Sequence, residues 1–191
     1  MLSTVDFSKI HVADFARGKG CQTATVSLDG KDLQFRLSQD KFYKMPFGAS
    51  SFEKDKETTR LNLDLDISGM SEECEKLDAW ALEYACKEKD RLFPEMSEED
   101  IIRNYYRCVQ HSEKYGTTRL RTKINTAGLN KCKCFLHPEK NSVDVNDYDL
   151  RSASARPLIT FRGFWKQGRG FGLSLVTTAL LLSPTEEECP F

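Results

Sequence analysis

Between Phe161 and Phe171, four aromatic rings (Phe161, Phe164, Trp165 and Phe171) interleave with three cations, Arg162, Lys166 and Arg169. Rings offer flat π-faces on which bases stack, and cations neutralise phosphates, so this mixture suits a single-stranded nucleic acid held without sequence readout. The same residues also fit a plainer role, a core hairpin with a solvated basic turn. Gln167-Gly168-Arg169-Gly170 separates two β-rich runs and is a hairpin signal.

Two further segments repeat the theme. In Thr118–Asn125, a period of two places Arg119, Arg121 and Lys123 on one face of a strand and Leu120 and Ile124 on the other. Like charges about 7 Å apart repel one another; water tolerates them, and a phosphate chain makes them favourable. A solvated strand face is the plainer alternative. Lys41-Phe42-Tyr43-Lys44 sets two aromatics between two cations, or forms a short core strand with charged flanks.

The run Glu186-Glu187-Glu188-Cys189-Pro190-Phe191 is acidic and carries an aromatic. Such a tip fits an apolar pocket with a basic rim, and as a short polyanion mimic it competes for a basic groove. Glu186, Glu187, Glu188, Pro190 and Phe191 are therefore the expected partner-binding residues, with a solubilising tail as the alternative.

Bond-breaking chemistry has little support. His11, His111 and His137 are isolated, and no Gly-x-Ser-x-Gly, P-loop or His-Glu-x-x-His pattern occurs. Cys132-Lys133-Cys134 with His137 offers three donors where a structural zinc needs four, and reads as a half-buried cysteine pair. Asp64 and Asp66 share a strand face, but without a further carboxylate cluster they read as solvated rather than as a magnesium site. No catalytic residue, metal or cofactor is expected.

The elements that must position these residues belong to an ordinary globular chain of 191 residues, 39% hydrophobic and 30% charged, enough for one domain. A net charge of −1 hides an asymmetry: residues 70–101 carry 4 basic and 11 acidic side chains, residues 102–134 carry 8 basic and 1 acidic. A local patch of that size steers a polyanion even on a neutral protein. Met1–Asp6 lacks the features of a signal peptide, and the longest apolar run, Leu173–Leu182, is too short to span a bilayer, so no membrane is expected. Seven cysteines at scattered spacings suggest an intracellular, reducing compartment without structural disulfides.

The N-terminal part reads as β. Cys21–Leu28 and Asp32–Leu37 flank Asp29-Gly30, a type I′ hairpin dipeptide, and Arg60–Ile67 alternates as a half-buried strand. A helical pair is expected over residues 70–110. Its first member is capped by Ser71 and carries a stripe of Cys74, Leu77, Ala81, Tyr84 and Ala85; Pro94 ends that segment. Ser97-Glu98-Glu99-Asp100 opens the second member, with Ile101, Tyr105 and Cys108 on one face. A strand at Lys133–Leu136 and an Asn- and Asp-rich loop lead to the hairpin. Residues 1–182 are expected to form one domain and 183–191 a flexible tail.

Taken in order, several blocks resemble a family of conserved proteins from large double-stranded DNA viruses of algae and protists, to which a single-stranded DNA-binding protein of African swine fever virus is similar. The blocks are Asp6-Phe7-Ser8-Lys9-Ile10, Pro46-Phe47-Gly48-Ala49-Ser50-Ser51-Phe52, Leu61-Asn62-Leu63-Asp64-Leu65, Ser97–Tyr106, Thr118–Ile124, Gly163-Phe164-Trp165 and Phe171-Gly172. A Trp-Phe-Gly-Lys-like piece of that family is replaced here by Arg91-Leu92-Phe93-Pro94. The acidic tip resembles the tails of bacterial single-stranded DNA-binding proteins and the Phe-ending tail of a phage counterpart.

The resemblance implies an α+β, mainly β fold, an OB-like antiparallel barrel with helical additions, that binds single strands without reading sequence. The resulting expectation is a non-enzymatic single-stranded DNA-binding protein of replication, recombination or repair. Arg119, Arg121, Lys123, Arg162, Lys166 and Arg169 would contact phosphates, and Phe164, Trp165 and Phe171 would stack, aided by Lys41, Phe42, Tyr43 and Lys44. RNA is an alternative ligand, replication or repair proteins are expected at the tail, and self-association is an open expectation. The place of action, if the chain is viral, is the host nucleus or a cytoplasmic viral replication site. The rival reading is a protein-interaction or virion structural module on the same barrel; a metal-dependent nuclease is a third class. Exposure of Trp165 beside cations favours nucleic acid, and burial among Leu and Val favours the rival.

Overall fold

Two fifteen-residue strands, folded back on each other at Gly168-Arg169, organise the rest of the molecule. The computed structural model describes residues 1–18, 20–50 and 58–184. Among these residues the strands are β1 (Ile10–Val12), β2 (Gln22–Leu28), β3 (Leu33–Arg36), β4 (Tyr43–Lys44), β5 (Ala49–Ser50), β6 (Arg60–Asp66), β7 (Tyr105–Tyr106), β8 (Val109–Ser112), β9 (Thr117–Asn125), β10 (Lys133–Leu136), β11 (Ser142–Val143), β12 (Ala153–Gln167) and β13 (Gly170–Pro184). The helices are α1 (Ser71–Lys87), α2 (Lys89–Leu92) and α3 (Glu98–Asn104).

The fold is mainly β, as expected, but the sheet is mixed where antiparallel pairing was expected. Its main path runs β1-β2-β12-β13-β9-β6-β5 and is open, and β13 lies parallel to β7, β9 and β10. Asp29 and Gly30 both have positive φ, as a type I′ turn requires. The strands they join touch each other only around Leu28 and Lys31, then run end to end along β12. β2 pairs with Gly163–Lys166 and β3 with Leu158–Phe161.

The hairpin has two unlike faces. Its inner face carries Phe161 and Phe164, covered by Trp80 and Tyr84 of α1, with Phe171 against Phe93. Cys74, Leu77, Ala81 and Ala85 form the buried stripe of α1, as their spacing predicts. Register shifts interrupt the hairpin between Leu158 and Ile159 and between Phe161 and Gly163. The second shift turns one residue out of alternation, so Phe161 and Phe164 share the inner face and Trp165 points outward. Gly163 makes this bulge fit: its φ is +123°, and a Cβ there would lie 1.8 Å from the carbonyl oxygen of Ala24.

The helical insertion departs from expectation. Met70, not Ser71, is the N-cap of α1, and its side chain makes no cap bond; Ser71 is the first helical residue. The capping box at Ser97 and Asp100 forms as read. α3 nevertheless stops at Asn104 instead of running on to residue 110. The cause is Asp78, fully buried in α1. It accepts hydrogen bonds from the Tyr105 hydroxyl (2.5 Å) and from the backbone N–H groups of Cys108 (2.9 Å) and Val109 (3.0 Å). A buried carboxylate must be satisfied, and this one draws the chain out of the helix into β7 and β8. Burial, with Asp78 adding to it, pushes the Tyr105 hydroxyl and the Cys108 thiol well above their ordinary values. Six cysteines (21, 74, 86, 108, 132 and 134) are unbridged.

Candidate nucleic-acid interface

The outer face of the hairpin and the strands beside it form two grooves that join. The first, of about 530 Å³, is lined by Trp165 and Tyr106 and by Arg60, Arg107, Arg121 and Lys123. The second, of about 600 Å³, shares Thr23, Arg60 and Ser174 with the first and adds Lys131, Lys133 and Arg162. Among the described residues neither groove is lined by a carboxylate.

The strand β9 supplies the floor. Arg119, Arg121 and Lys123 stand on one face, as the period of two dictates, opposite Asp66, Asp64 and Asn62 of β6. Asp64 is neither solvated nor free: it lies buried between two guanidiniums. Arg121 donates to it from Nε (3.0 Å) and Nη2 (3.1 Å), and Arg119 from Nη1 (3.2 Å). One carboxylate thus offsets one of two arginines and orients both. Arg119 is turned away from the grooves, its guanidinium over the Phe47 ring at 4.8 Å. Lys123 bonds the Asn62 side chain, and burial, aided by Arg60 and Arg121, holds its ammonium below the ordinary lysine value. Cations pressed together in this way are relieved by an anion placed over them. Arg60 reaches across to the Ser174 hydroxyl at 3.3 Å, spanning the junction of the grooves.

Trp165 is half-buried and opens on the first groove. It pairs across the hairpin with Gly172, and a Cβ on that glycine would sit 3.1 Å from the indole and 2.7 Å from the Tyr106 carbonyl. The absent side chain leaves room for the indole to lie across the strand. Tyr106, 63% exposed, leans on Trp165 with ring centroids 5.6 Å apart. The neighbours of Trp165 are thus a tyrosine, a glycine and the cation-lined groove. Tyr106, Arg60, Arg107, Lys131 and Lys133 were not singled out from sequence. They come from three separate segments, and the basic balance of residues 102–134 was the one signal that pointed at most of them.

The other expected residues fall elsewhere. Phe164 and Phe171 are fully buried, so the stacking expected of them is corrected: neither has a face to offer a base. Lys166, expected on phosphates, points inward beyond the bulge, pairs with Glu95 and lies over the Phe15 and Phe93 rings, its side chain only 11% exposed. Arg162 is exposed on the second groove and bonds Asp32 at 3.0 Å; Lys131 pairs with Asp144. Arg169 is exposed at the turn, near Asp100. Tyr43 is buried against Met70, a correction to its stacking role. Lys41, Phe42 and Lys44 lie by the far end of β12, where β4 pairs with Ser154 and Ala155. Glu186, Glu187, Glu188, Pro190 and Phe191 lie outside the described residues. Cys132 and Cys134 are both buried, Cys134 on the strand β10.

No protein-family model matches the sequence, and no curated protein does. Solved structures do match. The fold is similar to that of a C-terminally truncated single-stranded DNA-binding protein from bacteriophage Enc34, with a TM-score of 0.51 and 10% identity over 93% of this chain and 97% of that one. The same phage protein in complex with single-stranded DNA gives a TM-score of 0.50 and 9% identity over 92% and 97%. At such identities the likeness shows a shared fold, spanning nearly the whole of both chains.

Proposed function

We propose that the chain binds single-stranded DNA without reading its sequence, along the joined grooves of the outer sheet face. The observation that carries this reading is the combination in one place of the half-exposed Trp165 indole, the Tyr106 ring and a row of cations, with no carboxylate lining the trough among the described residues. Phosphates lie over Arg60, Arg107, Arg121 and Lys123 at one end and over Lys131, Lys133 and Arg162 at the other, and bases stack on Trp165 and Tyr106. The fold shared with phage proteins named for single-stranded DNA binding supports the same reading. The protein acts as a holder of single strands in replication, recombination or repair, not as an enzyme. Its place is with the viral proteins whose sequence blocks it resembles. Residues 186–191 recruit partner proteins.

Salt tests this directly. Affinity for a fluorescent oligo-dT falls as salt rises, with a log–log slope of about −3 to −5, the value for roughly four to seven neutralised phosphates. Binding that ignores salt, or no binding at micromolar protein in low salt, overturns the proposal.

A further inference from the structure

We infer that the strand path continues beyond these grooves to a second aromatic–cation station at Arg156 and Phe42, so that the bound strand follows the whole outer face of the β12–β13 hairpin. This rests on the proposed function and extends it.

A cavity of about 440 Å³ lies at that end, floored by Phe135, Leu158, Ala179 and Leu181 and edged by Arg36, Lys140 and Arg156. Among the described residues no carboxylate lines it. The Arg156 guanidinium lies over the Phe42 ring at 4.5 Å, and the ring in turn meets His137 edge-on at 5.3 Å. Arg156 donates from Nη1 to the Gln39 carbonyl at 2.7 Å, while its buried Nε has no hydrogen-bond partner among the described residues. A guanidinium already flattened on a ring offers its other face to a base, and its charge favours a phosphate beside it.

The two stations share one sheet face. On this face of β12 stand Arg156, Leu158 and Arg162, which keep one alternation, and Trp165, which the register shift at Phe161/Gly163 brings to the same side. The second groove ends at Thr178 and Lys133, and the cavity begins at Ala179 and at Phe135, two residues further along β10. Nine residues separate Arg156 from Trp165, about 30 Å at the rise of a strand. At the stacked spacing of about 3.4 Å, that span takes about nine nucleotides, and fewer when the strand is drawn out. In the middle, Asp32 and Asp144 offset Arg162 and Lys131, so the two ends grip more firmly than the centre.

Oligomers of two lengths separate the stations. Binding of dT4 and dT12 is followed in the full chain carrying Trp80→Phe, where the emission comes from Trp165 alone and reports only strands that reach it. Arg36→Glu with Lys140→Glu changes exposed residues and leaves the Arg156–Phe42 stack intact; Arg156→Ala removes the stack. Both variants weaken dT12 by about tenfold and leave dT4 unchanged, while Trp165→Ala, read by anisotropy, weakens both lengths. Unchanged dT12 affinity in the Arg36→Glu, Lys140→Glu chain, or equal weakening of both lengths, overturns the second station and leaves the Trp165 site standing. A Glu-Glu-Glu-Cys-Pro-Phe peptide that binds wild type but not the double variant, whose dT12 affinity is normal, would also overturn it, by assigning the cavity to an acidic protein segment. Failure of wild type to bind either length in low salt overturns the proposed function itself.

Discussion

Phe164 and Trp165 are adjacent aromatics on one strand, and the hairpin gives them opposite tasks. Phe164, on the inner face, is sealed by Trp80 and Tyr84 and holds the sheet to α1. Trp165, on the outer face, meets Tyr106 and opens on a trough of cations. The same division separates their charged neighbours: Lys166 is enclosed with Glu95 over two phenylalanine rings, and Arg162 stands in the open second groove. Stability is concentrated on one face of this hairpin and recognition on the other, with a single bulge at Gly163 deciding which residue goes where.

Substitutions can break that division. The largest effect belongs to the inner face: Phe164→Ala costs about 3–5 kcal/mol of folding stability in denaturant titration, while the folded fraction keeps its affinity for oligo-dT. Next is Asp78→Asn. An amide offers one acceptor oxygen where two were used and turns an NH2 toward a backbone N–H, so stability drops by about 2–3 kcal/mol. Because Asp78 fixes Tyr105, Cys108 and Val109 on either side of Tyr106 and Arg107, oligo-dT affinity falls as well, which separates this variant from Phe164→Ala. On the outer face, Trp165→Ala reduces binding by about 1–3 kcal/mol with a much smaller loss of stability.

Smaller effects sharpen the contrast between the two cations. Arg162→Ala lowers the salt slope by about 0.7, the share of one phosphate, whereas Lys166→Met leaves the slope unchanged. Lys166 shows itself in acid instead. Its hydrogen bond holds the Glu95 carboxyl below the ordinary value of 4.5, so the contribution of the pair is complete above that pH and is lost as pH falls through the lowered value. The acid limb of a stability–pH curve is therefore shallower in Lys166→Met than in wild type.

The same bulge explains what could be read in advance. Local signals were legible: the hairpin turn, the Asp29-Gly30 dipeptide, the alternation of β6 and β9, the capping box at Ser97 and the buried stripe of α1 each follow from a few neighbouring residues. A strict period of two across β12 would place Phe161 beside Trp165; the extra residue at Arg162 breaks it, and nothing in the run of side chains announces which residue is extra. The early end of α3 depends on Asp78, far away in sequence. Tyr43 reads either as a stacking aromatic or as part of a short core strand, and its burial against Met70, distant in sequence, selects the core. The trough itself collects Arg60, Tyr106, Lys133 and Trp165 from β6, β7, β10 and β12, which only long-range pairing with β13 and β9 brings together. Parallel pairing on β13 follows from that long-range assembly too, and no short motif encodes it.

The outer face makes one claim above the rest, that bases stack on Trp165. The chain has two tryptophans, and Trp80 packs against the inner face, so Trp80→Phe leaves Trp165 as the sole reporter. Titration of that variant with oligo-dT in low salt quenches the remaining emission at the same concentrations at which the anisotropy of labelled oligo-dT rises, and added salt reverses both. Saturated anisotropy with unchanged Trp165 emission would contradict the account, because the strand would then be bound somewhere other than the groove that Trp165 lines.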